Sequence, residues 1–437
     1  MKKILTLIIL LSVIQAKSQT WSILPASPNS ASFRHDDIFF INKDTGWVCN
    51  VDGNIYKTTD GGNTWSTQLH QPNTSFRCIG FANAQNGWSG NLGPGRWSPT
   101  IDTLPLYSTN DGGNTWQAVS NITGTLPKGI CGISVVNDSV VYAVGRVGGP
   151  AYLLKTIDGG ISWQSIDMNA LAFQLIDCKF FSADTGIVVG GFPGPNYSDS
   201  KYRILYTTDG GTNWQIVASG FNLFQECWKA YFVNRMLGYA SVESDLSNDT
   251  LPVLKTTDGG LTWQEKIFSI HPSTYEQGIG FINDSVGWCG ASVNDLKMTT
   301  DGGDSWVLQS SILSNFNRMR KINDTLAYAI GNRVWKYSPS NVGTTERENI
   351  NGFEIISITP NPTKELANII YSIPYRGKVE IRLYDFAGRL VNDLKSAVEN
   401  PGEHSFPVHL PYYFDTHFFI VIKFNNDQLT RKIFCVR

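Results

Sequence analysis

Six aspartates recur in one eight-residue phrase, Thr-x-Asp-Gly-Gly-x-(Thr/Ser/Asn)-Trp. They are Asp60, Asp111, Asp158, Asp209, Asp258 and Asp301, spaced 43 to 51 residues apart. A carboxylate at a tight turn can serve as a general acid or base, or hold a calcium ion. The pattern argues against both. Calcium takes roughly six to eight oxygen ligands, whereas each turn offers one acid and no spaced set of oxygens. A catalytic centre needs one asymmetric constellation, not six copies of a single residue. A carboxylate here accepts hydrogen bonds from the backbone N–H groups of its own turn, and the two glycines let the chain reverse without a Cβ clash. The Trp begins the next strand and can bury up to ~200 Å² between neighbouring sheets. The six aspartates therefore read as architecture, and no catalytic residue, metal ligand or cofactor is expected of them.

Other reactive constellations are sparse. A glycosidase needs two carboxylates roughly 5 to 9.5 Å apart, and Glu243 and Asp245 share one loop. A sialidase would carry an early Arg-Ile-Pro, but Arg203-Ile204 is followed by Leu205 and that tripeptide occurs nowhere. GxSxG, HExxH and phosphate-loop motifs are also missing. The reading is a protein that is not an enzyme, with a secreted glycoside hydrolase as the alternative.

The turns need strands to hold them, and the sequence supplies these in order. Upstream of each Asp phrase stands an apolar strand, a polar turn and a Gly-aromatic strand. Examples are Phe39 to Trp47, Phe81 to Trp88 and Phe281 to Trp288. A third strand such as Asn54 to Thr58 leads into the Asp-Gly-Gly turn, and a fourth begins at the Trp. Four antiparallel strands at this period make a propeller blade. A seventh copy, from Ile322 to Tyr337, lacks the Asp phrase and the fourth strand. The segment Thr20-Trp21-Ser22 matches Thr64-Trp65-Ser66, so it is expected to complete that last blade. The fold class expected is all-β: a seven-bladed β-propeller closed by the N-terminal strand, followed by a small β-sandwich domain.

The 437 residues suit one large repeat domain and an appendage. Residues 1–19 read as a signal peptide: Lys2 and Lys3, an apolar run from Ile4 to Ile14, then Ala16-Lys17-Ser18 for cleavage. That run is too short to span a bilayer, and no later segment has transmembrane length. Residues 20–337 form the propeller, 338–352 a polar linker, and 353–437 the second domain, where Lys378 to Leu383 alternates as a half-buried strand does. The formal charge of −2 gives no drive towards nucleic acid or an anionic membrane. Seven cysteines occur at about one per repeat and in differing registers, which reads as buried thiols on strands.

In an antiparallel blade the Asp turns share one face, and the loops between second and third strands share the other. Those loops carry the insertions, at 91–105, 191–201 and 243–252. Long loops on a rigid scaffold are the usual place for binding. They offer Arg96, Trp97, Tyr197, Glu243 and Asp245 as ligand-binding candidates. Arg34 and Arg77, at the starts of the inner strands, join them. With Arg318 and Arg320 they would make one side of the channel mouth basic, opposite Asp177, Glu226 and Glu276.

The Asp phrase, with its Gly-Trp strand and Thr-Thr-Asp-Gly-Gly-x-Thr-Trp turn, matches the Asp-box (BNR) repeat. The whole unit resembles the photosystem II assembly and stability factor family of seven-bladed propellers. That resemblance implies a binding or assembly role, and an envelope assembly factor is a further alternative. In the tail, Ile358-Thr359-Pro360-Asn361-Pro362, then Val379 to Arg389, then Lys432-Ile433 resemble the type A C-terminal sorting domain of the type IX secretion system. The family's Ser-Gly-x-Tyr turn is replaced here by Leu410 to His417. The resemblance implies export through the type IX machinery as a partner. It also implies a secreted or outer-membrane-surface location in a Gram-negative bacterium. The function expected is a propeller that binds a protein or polysaccharide on its loop-rich face.

Overall fold

The computed structural model describes residues 19–95, 100–192, 200–222, 224–244, 250–269, 278–290, 296–309, 312, 316–339, 352–361, 363, 365–385, 389–410, 416–425 and 427–435. The signal-peptide reading and most of the proposed linker lie outside them. The chain divides into two compact units, Trp21–Ser338 and one that holds Pro339–Arg437. The described residues of both are strands, turns and bends, with no helix.

In the first unit the described strands form seven sheets, numbered here in chain order. Sheet one is His35–Phe40, Gly46–Asn50, Asn54–Thr58 and Ser66–His70, each antiparallel to the next. Sheets two, four, five and six repeat this order and begin with Phe76–Phe81, Gln174–Phe180, Gln225–Phe232 and Gly278–Phe281. Sheet three begins with Gly132–Val135 and has a fifth strand, Ile122–Thr123, running parallel to Trp163–Asp167. Sheet seven holds Arg318–Asn323, Leu326–Ile330 and Val334–Pro339, and its outermost strand is Gln19–Ile23. Leu24 N donates to Val334 O at 3.0 Å, and Trp21 packs on Phe316 and Tyr337. The first strand of each sheet neighbours the first strands of the sheets before and after it, and that of sheet seven neighbours that of sheet one.

The Gly-aromatic motif has a packing cause. A Cβ at Gly46 would lie 2.6 Å from carbons of the Phe40 ring, and Gly87, Gly186, Gly238 and Gly287 meet Phe81, Phe180, Phe232 and Phe281 in the same way. With glycine there, the phenyl ring lies flat on its own sheet and offers its other face to the sheet before. Trp47 stacks on Phe81 with centroids 3.6 Å apart, Tyr142 on Phe180 at 3.5 Å and Tyr239 on Phe281 at 3.9 Å. Tyr328 of sheet seven stacks on Phe40 of sheet one at 3.8 Å. Each such pair adds about 0.5–1.5 kcal/mol beyond its area burial.

The second unit has two sheets. One orders Glu354–Thr359, Leu366–Ile373 and Gly402–His409; the other orders Leu390–Glu399, Gly377–Tyr384, Thr416–Phe424 and Asp427–Cys435. Ile355, Ile369 and Tyr371 of the first share one core with Ile381, Ile420 and Ile433 of the second. All seven cysteine side chains of the protein are buried.

Candidate functional site

The six Asp turns come first because their chemistry is complete within themselves. Thr64 N and Thr58 Oγ1 donate to Asp60 Oδ1 at 2.9 and 2.8 Å, and Thr64 Oγ1 donates to Asp60 Oδ2 at 2.6 Å. Gly62 N donates to Thr58 Oγ1 at 2.9 Å. The same bonds recur around Asp111, Asp158, Asp258 and Asp301. At Asp209 the amide of Asn213 replaces the hydroxyl, donating at 2.7 Å. Gly61 and Gly62 take φ of 70° and 90°, which explains why two glycines follow each acid. The Thr64 hydroxyl and N–H hold the Asp60 carboxyl down at about 2. Both oxygens are thus occupied by the turn itself.

The inner strands are different in every sheet. Their register slips at one height: between His35 and Asp37, Phe76 and Cys78, Leu175 and Asp177, and Cys227 and Ala230. A bulge leaves one residue unpaired and re-aims its side chain. The bulged positions are Asp36, Arg77, Ile176 and the Trp228–Lys229 step. Asp36 Oδ1 accepts from Arg34 Nε at 2.8 Å and from Arg77 Nη1 at 2.5 Å. The Arg77 guanidinium lies 5.8 Å from the Trp228 ring centroid.

Just past the bulges lies a second charged layer. Arg318 of sheet seven donates through Nε to Asp37 Oδ1 at 3.0 Å, and through both terminal nitrogens to Asp177 at 2.7 and 3.0 Å. Asp37 Oδ2 also accepts from Ile79 N at 3.0 Å, and Asp177 Oδ2 from Ala230 N at 3.1 Å. Three side chains thereby tie together sheets one, two, four, five and seven. Burial opposes the Asp177 charge, but Arg318 and then Lys229 outweigh it and hold its carboxyl below the usual range. Lys229 is pushed down by burial and by Arg318.

The sequence candidates fall as follows. Arg34 and Arg77 meet at Asp36, and Glu243 lies within electrostatic range of both. Glu243 is also the register partner of Glu226. Arg96, Trp97, Tyr197 and Asp245 lie outside the described residues, as does Glu276. The expected split into a basic and an acidic side of the channel mouth does not hold among the described residues. Asp36 and Asp37 stand within the basic group and take up Arg34, Arg77 and Arg318, while Lys229 stands beside Asp177. Sequence reasoning missed Asp36, Asp37 and Lys229. The available signal was a charge inside an otherwise apolar inner strand, as in His35-Asp36-Asp37-Ile38 and Trp228-Lys229-Ala230.

Several buried polar atoms in this region have no partner among the described residues: Asp36 Oδ2, Arg77 Nε, Trp228 Nε1 and Gln174 Nε2. Gln174 opens the inner strand of sheet four; a Cβ at Gly191 would lie 3.2 Å from its Nε2 and in ordinary contact with Glu226. A buried polar group left unpaired costs about 1–3 kcal/mol, so the inner-strand starts are poised for water or a polar ligand.

Sheets of this kind, stacked through their inner strands, define an all-β propeller class. No protein-family model matches the chain, and no curated protein matches it. Solved structures do. YCF48 bound to D1 peptide aligns with a TM-score of 0.53 and 17% identity, over 73% of this chain and 96% of that one. YCF48 from Cyanidioschyzon merolae aligns at 0.56 and 15%, over 74% and 99%. The extracellular domain of the BT4673 system from B. thetaiotaomicron aligns at 0.50 and 12%, over 92% of this chain and 57% of that one. At these identities the likeness establishes a propeller fold.

Proposed function

We propose that the chain is an exported, seven-bladed propeller, closed by its N-terminal strand, that binds a protein partner at the loop-side ends of its inner strands. It acts by binding, not by catalysis. The observation that carries this reading is the set of buried polar atoms at Asp36, Arg77, Trp228 and Gln174 that have no partner among the described residues. They stand next to an interior where Arg318, Asp37 and Asp177 are fully paired. A polypeptide segment supplies alternating N–H and C=O groups that match such a set of donors and acceptors. Arg34, whose side chain keeps 24% of its exposure, and Glu243 would orient a charged residue of that segment. That one propeller neighbour holds a peptide agrees with this reading. The pairing of Gln19–Ile23 with Val334–Pro339, and the seven sheets, support ring closure.

The Asp turns act as Asp-box corners. The tail serves as a type IX sorting domain and the first residues as a signal peptide, giving a secreted or surface-attached protein of a Gram-negative bacterium. The test is capture of envelope and surface proteins on the purified chain, compared with Arg34→Glu and Glu243→Lys. A partner retained by the wild type and lost with either reversal supports the reading. A partner held equally by all three proteins overturns the mouth as the site.

A further inference from the structure

Four of the six Asp turns share a contact that their own sequence does not contain. The carbonyl of the first glycine points at the sheet before, and a side chain of that sheet reaches it. Lys57 Nζ donates to Gly112 O at 2.8 Å, Lys155 Nζ to Gly210 O at 3.0 Å and Lys336 Nζ to Gly61 O at 3.2 Å. Gly259 O is served differently, by Arg235 of its own sheet at 3.1 Å. Tyr239 serves Gly302 O at 2.8 Å, with Lys255 Nζ alongside. Each lysine is the cross-strand partner of an aromatic residue: Trp47 with Lys57, Tyr142 with Lys155, Tyr239 with Lys255 and Tyr328 with Lys336. Each ammonium lies 5.3 to 5.9 Å from that ring's centroid. A lysine stands over an aromatic face four times, and in three of them, Lys57, Lys155 and Lys336, its ammonium sits on a turn carbonyl; at Gly302 the Tyr239 hydroxyl takes that carbonyl.

Between sheets two and three the arrangement lacks its lysine. The aromatic is Trp88, its cross-strand partner is Ser108, and the turn carbonyl is Gly159 O. The serine is too short to reach. Among the described residues no side chain donates to Gly159 O. Trp88 Nε1 stands as near its turn as Trp47 Nε1 does: a Cβ on Gly160 would lie 2.8 Å from Trp88 Nε1, against 3.0 Å for Gly113 and Trp47, although Trp47 donates to Gly112 O and stacks on Phe81 while Trp88 meets Trp163 edge-on. A cavity of about 300 Å³ opens there, lined by Trp88, Ser108, Gly159, Gly160, Ile161 and Gln117 among others. No lysine, arginine or histidine is among its lining residues. Ile161, 76% exposed, occupies the place of Asn63 and Asn114 in the neighbouring turns. It puts an apolar surface at the rim, where an alkyl stem would lie.

We infer that this cavity is a docking pocket for a lysine side chain presented by a partner protein. The ammonium would donate to Gly159 O over the Trp88 face, and the methylene stem would pack on Ile161. The occupant is identified by what fills the sister positions of this same molecule. The pocket lies on the Asp-turn side, away from Arg34 and Glu243, so it stands or falls separately from the binding site proposed above.

The test uses the full chain and two probes, Nα-acetyl-lysine N-methylamide and its uncharged norleucine counterpart, followed through the tryptophan indole N–H resonances. The lysine probe is expected to shift the Trp88 resonance with a millimolar midpoint, and the norleucine probe to need at least tenfold more. Ser108→Lys should raise the thermal midpoint by supplying the ammonium in cis, and should abolish the response while leaving the other indole resonances in place. Arg34→Glu should leave the response unchanged. Equal responses to the two probes, or a response surviving Ser108→Lys, would overturn the pocket. Butylammonium or spermidine binding tenfold more tightly than the lysine probe would assign it to free amines and overturn the protein partner.

Discussion

The Asp turns and the inner strands belong to the same seven sheets, yet they obey opposite rules. Around Asp60, Asp111, Asp158, Asp258 and Asp301 the same hydrogen bonds recur almost to the tenth of an ångström. Along the inner strands, equivalent positions hold Asp37, Cys78, Gly132, Asp177, Lys229, Gly278 and Arg318. Repetition marks what every sheet needs in order to stand beside the next. Divergence marks what the interior needs only once. The turns are built from contacts within eight residues, and the interior from contacts between residues up to 281 apart in sequence.

The largest effect should come from the non-repeated side. Arg318→Met leaves Asp37 and Asp177 buried without their cation. Breaking a buried pair in this way costs about 3–5 kcal/mol, because the uncompensated charge stays in the interior. Urea unfolding of the purified chain would measure it. Adding Asp177→Asn to that variant should restore part of the loss. If Arg318→Met were as stable as the wild type, the interior charges would not hold the sheets together.

The repeated side should respond by a smaller and uniform amount. Thr58 is buried; its hydroxyl accepts from Gly62 N and donates to Asp60. Thr58→Ala should cost about 1–2 kcal/mol for an unsatisfied buried N–H. Thr207→Ala and Thr256→Ala should match it, since their bonds are the same. A spread as wide as the values themselves would mean that the turns are not equivalent, and the contrast with the interior would dissolve.

That contrast also explains which parts of the structure could be read from the residues alone. The phrase around each Asp carries its own strand, turn and tryptophan within eight positions, so its geometry needs no distant partner. The match of Trp21 to Trp65 likewise pointed to the strand beside Val334. Asp36 escaped because a bulge decides where it points, and a bulge is set by the pairing of His35 and Asp37 with Asn50 and Cys49. Every residue of His35–Phe40 but Phe39 is buried, so the strand has no alternation for a one-residue slip to interrupt. The fifth strand of sheet three was invisible for a similar reason. Ile122–Thr123 is two residues long, and only its neighbour Trp163 makes it a strand. The place of Ser108 stands out only beside Lys57, Lys155 and Lys336, which each reach a turn carbonyl of the next sheet.

Acid offers the finest way to separate the two regions. Hydrogen bonds from Thr64 lower the Asp60 carboxyl from 3.8 to about 2, and Asp111, Asp158, Asp209 and Asp258 fall to about 2 as well. A depressed folded-state value means that the folded chain binds these protons less readily than the unfolded chain. The stabilisation is therefore complete above about pH 4 and is lost as pH falls towards 2. The wild-type thermal midpoint should drop through that window. The drop should be modest, because these turns are exposed and screened by solvent. Asp177 is lowered for another reason, the Arg318 charge acting against burial. In Arg318→Met burial prevails and the Asp177 value rises, so a proton relieves the unpaired charge before the turns begin to titrate. The stability gap between Arg318→Met and the wild type should accordingly narrow as pH falls from 7 to 4, while the gap for Thr58→Ala stays level over that range. A constant gap for Arg318→Met would mean that Asp177 finds another cation, with Lys229 the nearest to supply one.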